Sequence, residues 1–274
     1  MHIRIGYELT YECVQPVPMV LMLNVHPSRR DDLIVPDKMV VEPIVRLHRY
    51  HDTFGNLCTR LLAPVGQIRL SAEGIVRDHG EADPVHQDAL QHAIEDLPDD
   101  VLVFLLGSRY CESDRLADSA WSLFSRTTPG WARVQAIVDY VHQYIAFGYE
   151  HARNTRTALD AYHERVGVCR DFAHLAIAFC RAMNIPARYC TGYLGDIGVP
   201  PCDLPMDFSA WFEAYLSGRW HTFDARHNVP RIGRIPVAYG RDAADVAIST
   251  TFGPNKLTNF MVHAEETDLN IAPG

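Results

Sequence analysis

One uninterrupted run, GVCRDFAHLAIAFCRAMNIPARYCTGYL from Gly167 to Leu194, limits the folds open to this chain more than any other stretch. From Cys169 onward, Phe172, Leu175, Ala176, Phe179 and Met183 recur every three or four residues, the spacing of one apolar helix face. Asn184 breaks that pattern and Pro186 forbids its continuation. Ala187 to Leu194 then reads as a strand with Tyr189, Thr191 and Tyr193 on one side. A helix followed within a few residues by a strand requires a mixed α+β core. Cys169 falls at the N-terminus of that helix, where unpaired N–H groups and the helix dipole favour negative charge. The position predicts a thiol pulled down toward the thiolate and a candidate nucleophile. Cys180, in mid-helix among apolar neighbours, reads as core.

Upstream, residues 1–78 read as β structure. Ile3, Ile5, Tyr7, Leu9 and Tyr11 alternate with polar or small residues, giving a half-buried strand where a signal peptide would otherwise stand. Further strands are expected over Val17 to Val25, Val40 to Tyr50, Leu57 to Leu62 and Gln67 to Val76, with a turn over Asp52 to Asn56. Several short strands with tight turns predict a β-sandwich. The polar, acidic segment 79–98 reads as a linker, and residues 99–274 as a second, α+β domain. That domain opens with helices over Arg115 to Phe124, Val134 to Ile145 and Thr157 to His163. After the Cys169 helix and its strand comes the hairpin SAWFEAYLSGRWHTFDARHN. With Ser217-Gly218 as its two-residue turn, Tyr215 faces Trp220, Glu213 faces Thr222 and Trp211 faces Asp224. Ser209, Trp211, Glu213, Thr222 and Asp224 then share one face, and Ala210, Phe212, Ala214, Leu216, His221 and Phe223 the other.

A net charge of −9 with interspersed acids and bases argues against nucleic acid and anionic membrane surfaces as partners. The longest strongly apolar run, Val101 to Leu106, is far below the ~20 residues that span a bilayer. Seven cysteines with no CxxC pair suggest reduced thiols in a cytoplasm, with neither a disulfide framework nor a zinc site. No cofactor is implied and no metal site is expected.

Taken together, GVCRDFAHLAIAFCRAMNIPARYCTGYL, SAWFEAYL and RWHTFDARHN resemble the bacterial transglutaminase-like superfamily, whose members are often described as cysteine proteases. Residues 1–78, with Phe54-Gly55-Asn56, resemble the β-domain that precedes the catalytic core in many of them. The resemblance implies a papain-like core preceded by a β-sandwich. It also implies a Cys-His-Asp triad in which the Cys forms a thioester from an amide of a peptide or protein. Carried over, the nucleophile is Cys169 and the orienting acid Asp224, while the family histidine position holds Ser209. A serine cannot be the base. His221 faces away from Asp224, and His174 lies about 140° around the helix from Cys169. His227 is the best substitute base, provided the chain bends back after the strand. Trp211, beside Asp224, is the aromatic expected in the cleft. Asp171 is expected to pair with Arg170, Arg181 or Arg188, and Arg226 and Arg234 read as surface charge. Two functions follow from this reading, an amide-directed cysteine hydrolase or acyl transferase, and a catalytically impaired homologue that binds peptides or proteins.

Overall fold

A computed structural model describes residues 1–202 and 205–268. The N-terminal part is a sandwich built from β1 (His2–Cys13), β2 (Val17–Leu21), β3 (Leu33–Val35), β4 (Val40–Glu42), β5 (His48–His51), β6 (Leu57–Ala63) and β7 (Gly66–Arg77). Alternation sets the buried faces, with Ile3, Ile5, Tyr7, Leu9 and Tyr11 all inside. The strand expected over Val40 to Tyr50 is two strands. Pro43 can donate no ladder hydrogen bond, and the pieces on either side join different sheets, β4 on β7 and β5 on β6. Between β5 and β6, Asp52 Oδ1 accepts the N–H groups of Phe54 and Asn56, and Gly55 takes φ +82°.

The core follows with α1 (Ala117–Phe124), α2 (Trp131–Tyr144), β8 (Ala146–Phe147), α3 (Ala158–Glu164), β9 (Val166–Gly167) and α4 (Cys169–Ala182). Next come β10 (Ala187–Tyr193), β11 (Ser209–Leu216), β12 (Arg219–Phe223) and β13 (Ile235–Gly240), which form one antiparallel sheet in the order β12-β11-β10-β13. Helix α4 packs on β10 and β11 and is covered by α1, α2 and α3 on its other sides. Every residue from Asp171 to Arg181 is therefore buried, so the helix has no solvent face. It ends as its sequence dictates, with Asn184 at φ +59° and Pro186 immediately beyond Ile185. The hairpin register is the expected one, Tyr215 on Trp220 and Glu213 on Thr222, through a turn with φ +47° at Ser217 and +78° at Gly218.

The chain end revises the domain boundaries. The last strands, β14 (Ser249–Thr251) and β15 (Asn255–Glu266), pair with β2 and β1. Residues 249–266 thus complete the N-terminal sandwich and are not part of a core running over 99–274; residues 203–204 and 269–274 of that span lie outside the described residues. The sandwich sheets are β15-β1-β7-β3, with β4 also on β7, and β14-β2-β6-β5. Nor is segment 79–98 a free linker. Ala82 bridges Ile232, Leu90 N–H donates to Ser217 Oγ at 2.8 Å, and the Ala89 carbonyl accepts the Trp131 N–H at 2.9 Å. Its polarity is that of a strap hydrogen-bonded along the core surface. Among the described residues no helix is long and apolar enough to cross a membrane.

Candidate active site

The turn before Cys169 is fixed from below. Asp171 Oδ2 accepts the Val168 N–H at 2.9 Å and Arg156 Nη1–H at 3.1 Å. The main partner of Asp171 is therefore Arg156, which the sequence did not single out, with Arg170 further away at 3.7 Å. Only glycine fits at 167, because a Cβ there would stand 2.6 Å from the Asp171 Cβ. These contacts hold Cys169 as the first residue of α4, half-buried, on a cleft of about 490 Å³.

Ser209, Asp207, Arg226 and His227 line the same cleft. Residues 194–198 and Ala264, Glu265 and Glu266 of β15 supply other parts of its lining, so the sandwich contributes to the site. Asp224 does not open on this cleft; it sits behind His227, one residue beyond β12. The chain does bend back there. Asp224 Oδ1 accepts the N–H groups of Arg226 (2.9 Å) and His227 (3.0 Å), curling residues 224–227 into a turn. Asp224 Oδ2 lies 2.9 Å from His227 Nδ1 and 2.8 Å from Arg234 Nη2. Burial alone would push the Asp224 carboxyl up. The Arg234 charge and the His227 hydrogen bonds more than reverse this, holding it well below the usual carboxylate range. An ionised carboxylate has no proton to give, so His227 Nδ1 is the donor and Nε2 is left as the basic nitrogen.

The thiol departs from expectation. Burial, then the negative charges of Asp207 and Asp224, push Cys169 up to about 12, although the N–H groups of Ala210 and Arg170 pull the other way. The helix N-terminus is outweighed by desolvation and, after it, by two nearby carboxylates. Among the described residues no imidazole hydrogen-bonds the sulfur, so at rest Cys169 is a neutral thiol.

Trp211 is not a cleft residue. It is 2% exposed and lies outside the cleft lining, with the Arg234 guanidinium 5.1 Å from its ring. Both faces of the hairpin are covered, so the polar face was no guide to the cleft. Arg234 is likewise no surface charge; it is 9% exposed and bonded to Asp224 and Asp83. Arg226 lies 3.8 Å over the Phe147 ring in the cleft wall. His174 and His221 are buried, His174 accepting from Ala243 N–H and His221 bonded to the Leu216 carbonyl. Sequence reasoning missed Asp207, in the cleft wall, whose carboxyl is pushed up by desolvation. Its signal was its position two residues before Ser209, the i, i+2 spacing that puts both on one side of an extended chain.

A thiol at the head of a buried helix, sharing a cleft with an imidazole backed by a carboxylate, has the layout of folds that carry out thiol-dependent acyl transfer. Comparison with known proteins narrows the class. The sequence model of the transglutaminase-like superfamily matches residues 121–225, which span Cys169, Ser209 and Asp224. A solved structure, "Putative Cysteine Protease from Cytophaga hutchinsonii", is 33% identical with a TM-score of 0.84, covering 100% of this chain and 93% of its own. Uncharacterized protein ML0607 of Mycobacterium leprae (strain TN) is 27% identical over 244 residues, 80% of this chain and 81% of that protein. The chain belongs to the transglutaminase-like superfamily.

Proposed function

We propose that this protein is a cysteine hydrolase or acyl transferase that acts on amide bonds of peptides or proteins through a Cys169 thioester. The observation that carries this reading is the 2.9 Å contact between His227 Nδ1 and Asp224 Oδ2, which leaves a basic Nε2 on an imidazole lining the same cleft as Cys169. His227 takes the place as base that Ser209 cannot fill, and Asp224 orients it.

The steps balance without a cofactor. As the Cys169 sulfur attacks the carbonyl carbon, its proton passes to His227 Nε2. The tetrahedral intermediate then collapses, the C–N bond breaks, and the imidazolium returns that proton to the departing amine. Water or a second amine attacks the thioester, giving its proton to Nε2. The C–S bond breaks and the thiolate recovers the proton. Because the resting thiol is protonated, proton transfer accompanies attack, and His227 carries more of the barrier than in a preformed thiolate–imidazolium pair.

Turnover of a fluorogenic peptide-amide library tests the proposal. Cys169→Ala abolishes activity, and His227→Gln lowers it by ~10²–10⁴-fold. Activity that survives Cys169→Ala contradicts the proposal. A second reading, a peptide- or protein-binding module, is favoured by the thiol pushed up to about 12. It requires peptides to bind the cleft with no turnover at any pH. Seven unpaired cysteines fit residence in a reducing cytoplasm.

A further inference from the structure

We propose that Asp83, on the strap between sandwich and core, is a positioning residue for the Asp224–His227 pair and acts through Arg234. The proposal rests on His227 being the base. Asp83 is docked as if part of the core. Its N–H donates to the Arg231 carbonyl at 2.9 Å, and its Oδ2 accepts from Arg231 N–H at 2.9 Å and Arg234 Nε–H at 2.8 Å. From the same guanidinium, Nη2 donates to Asp224 Oδ2 at 2.8 Å, the oxygen that His227 Nδ1 approaches at 2.9 Å. The result is one chain of contacts, Asp83–Arg234–Asp224–His227, ending in the cleft.

Guanidinium is planar, so a carboxylate on Nε and another on Nη2 fix both its plane and its rotation. The side chains of Arg234 and Asp224 are 7% and 3% exposed, so little of the guanidinium is open to solvent if a partner is lost. Arg234 Nη1 is already buried with no partner. Removing Asp83 would strand Nε as well, and a buried cation with two unsatisfied nitrogens reorients to recover acceptors. The acceptor nearest to hand is Asp224, whose Oδ2 is the one that orients His227. Asp83 and Asp224 both border a second cavity of about 230 Å³ outside the reactive cleft, so Asp83 can be changed without repacking the apolar core.

Long-range proton–nitrogen NMR of His227 in the full chain tests this without relying on turnover. In wild type the Nδ1–H tautomer dominates, and Asp224→Asn abolishes that dominance. An unchanged spectrum in Asp224→Asn defeats the reading of His227, whatever Asp83 does. With that control met, Asp83→Ala, which removes the acceptor outright, gives a tautomer mixture and a kcat loss of about tenfold at unchanged KM, while Asp83→Asn, whose Oδ1 still accepts from Nε–H, keeps most of the wild-type signal. Arg234→Lys serves if Asp83→Ala does not fold: a single ammonium cannot hold both carboxylates in the same plane, so the same loss is expected. A wild-type tautomer pattern in folded Asp83→Ala, or in Arg234→Lys, overturns the proposal.

Discussion

Replacing Ser209 with histidine puts an imidazole into the cleft that Cys169 shares, and the structure sets the size of the response. Cys169 is pushed from the ordinary 9.0 to about 12. At pH 7.5 that leaves ~3 thiolates in 10⁵, against ~3 in 10² for an unperturbed thiol. An imidazolium within about 4 Å of the sulfur, at an effective dielectric of 20, supplies about 4 kcal/mol, equivalent to ~3 pKa units. At that separation the ion pair offsets the whole upward shift. A thousandfold gain in thiolate does not become a thousandfold gain in rate, because nucleophilicity falls with basicity by ~0.4–0.5 decades per unit. The expected net effect on alkylation of Cys169 at pH 7.5 is ~30–60-fold. Iodoacetamide labelling read peptide by peptide in a mass spectrometer, from pH 6 to 10, measures it, with exposed Cys202 as the internal reference. Wild-type Cys169 that labels as fast as Cys202 near neutrality, or a Ser209→His protein that labels no faster than wild type, would refute the electrostatic argument.

Acid should destabilise the fold in two stages. His174 is held neutral by burial, with its pKa well below 6.5, so below about 6.5 the unfolded chain takes up a proton that the folded chain refuses, and stability falls with falling pH. Asp224, held below its usual range, adds a second loss below about 4, where the unfolded carboxyl protonates first. Urea midpoints between pH 8 and 3 follow this: His174→Gln lessens the upper loss, which His26 and His221, also lowered by burial, share, and Asp224→Asn lessens the lower one; a variant whose loss in its own window equals that of wild type contradicts that assignment. Asp171→Ala strips the buried Arg156 of a carboxylate partner and the Val168 N–H of its acceptor. The loss is about 3 kcal/mol, seen in the same urea series, and a change under ~1 kcal/mol would place the pair with ordinary surface ion pairs.

Legibility in the sequence followed the range of the interactions. Helix α4, its Asn184–Pro186 ending and the β11–β12 register were readable because each is fixed by residues close in sequence. The Asp224–His227 contact was nearly so, at a separation of three residues, and needed only the turn that Asp224 itself caps. The partner of β15 was not readable. Its pairing with β1 joins Glu266 to Ile3, and a mostly exposed edge strand carries Leu257, Phe260 and Met261 outward, blurring the alternation that would name its buried face. Trp211 was misassigned because the acidic strap reads as solvent-facing chain, yet it supplies Asp83 to Arg234, which in turn covers Trp211. The same long-range assembly reversed the expectation for Cys169. A helix N-terminus is visible in sequence, whereas the burial that outweighs it, and the added charges of Asp207 and Asp224, 38 and 55 residues further on, come only with the assembled fold.

Acyl capture on the thiol decides whether Cys169 is the nucleophile. The intact protein is incubated with an activated acyl ester of a short peptide, quenched in acid and weighed, and the adduct is mapped. One acyl group is expected on Cys169 in wild type, with faster accumulation in Ser209→His, slower accumulation in His227→Gln, and none in Cys169→Ala. Absence of a Cys169 adduct in both wild type and Ser209→His, or an adduct that persists in Cys169→Ala, would contradict Cys169 as the nucleophile.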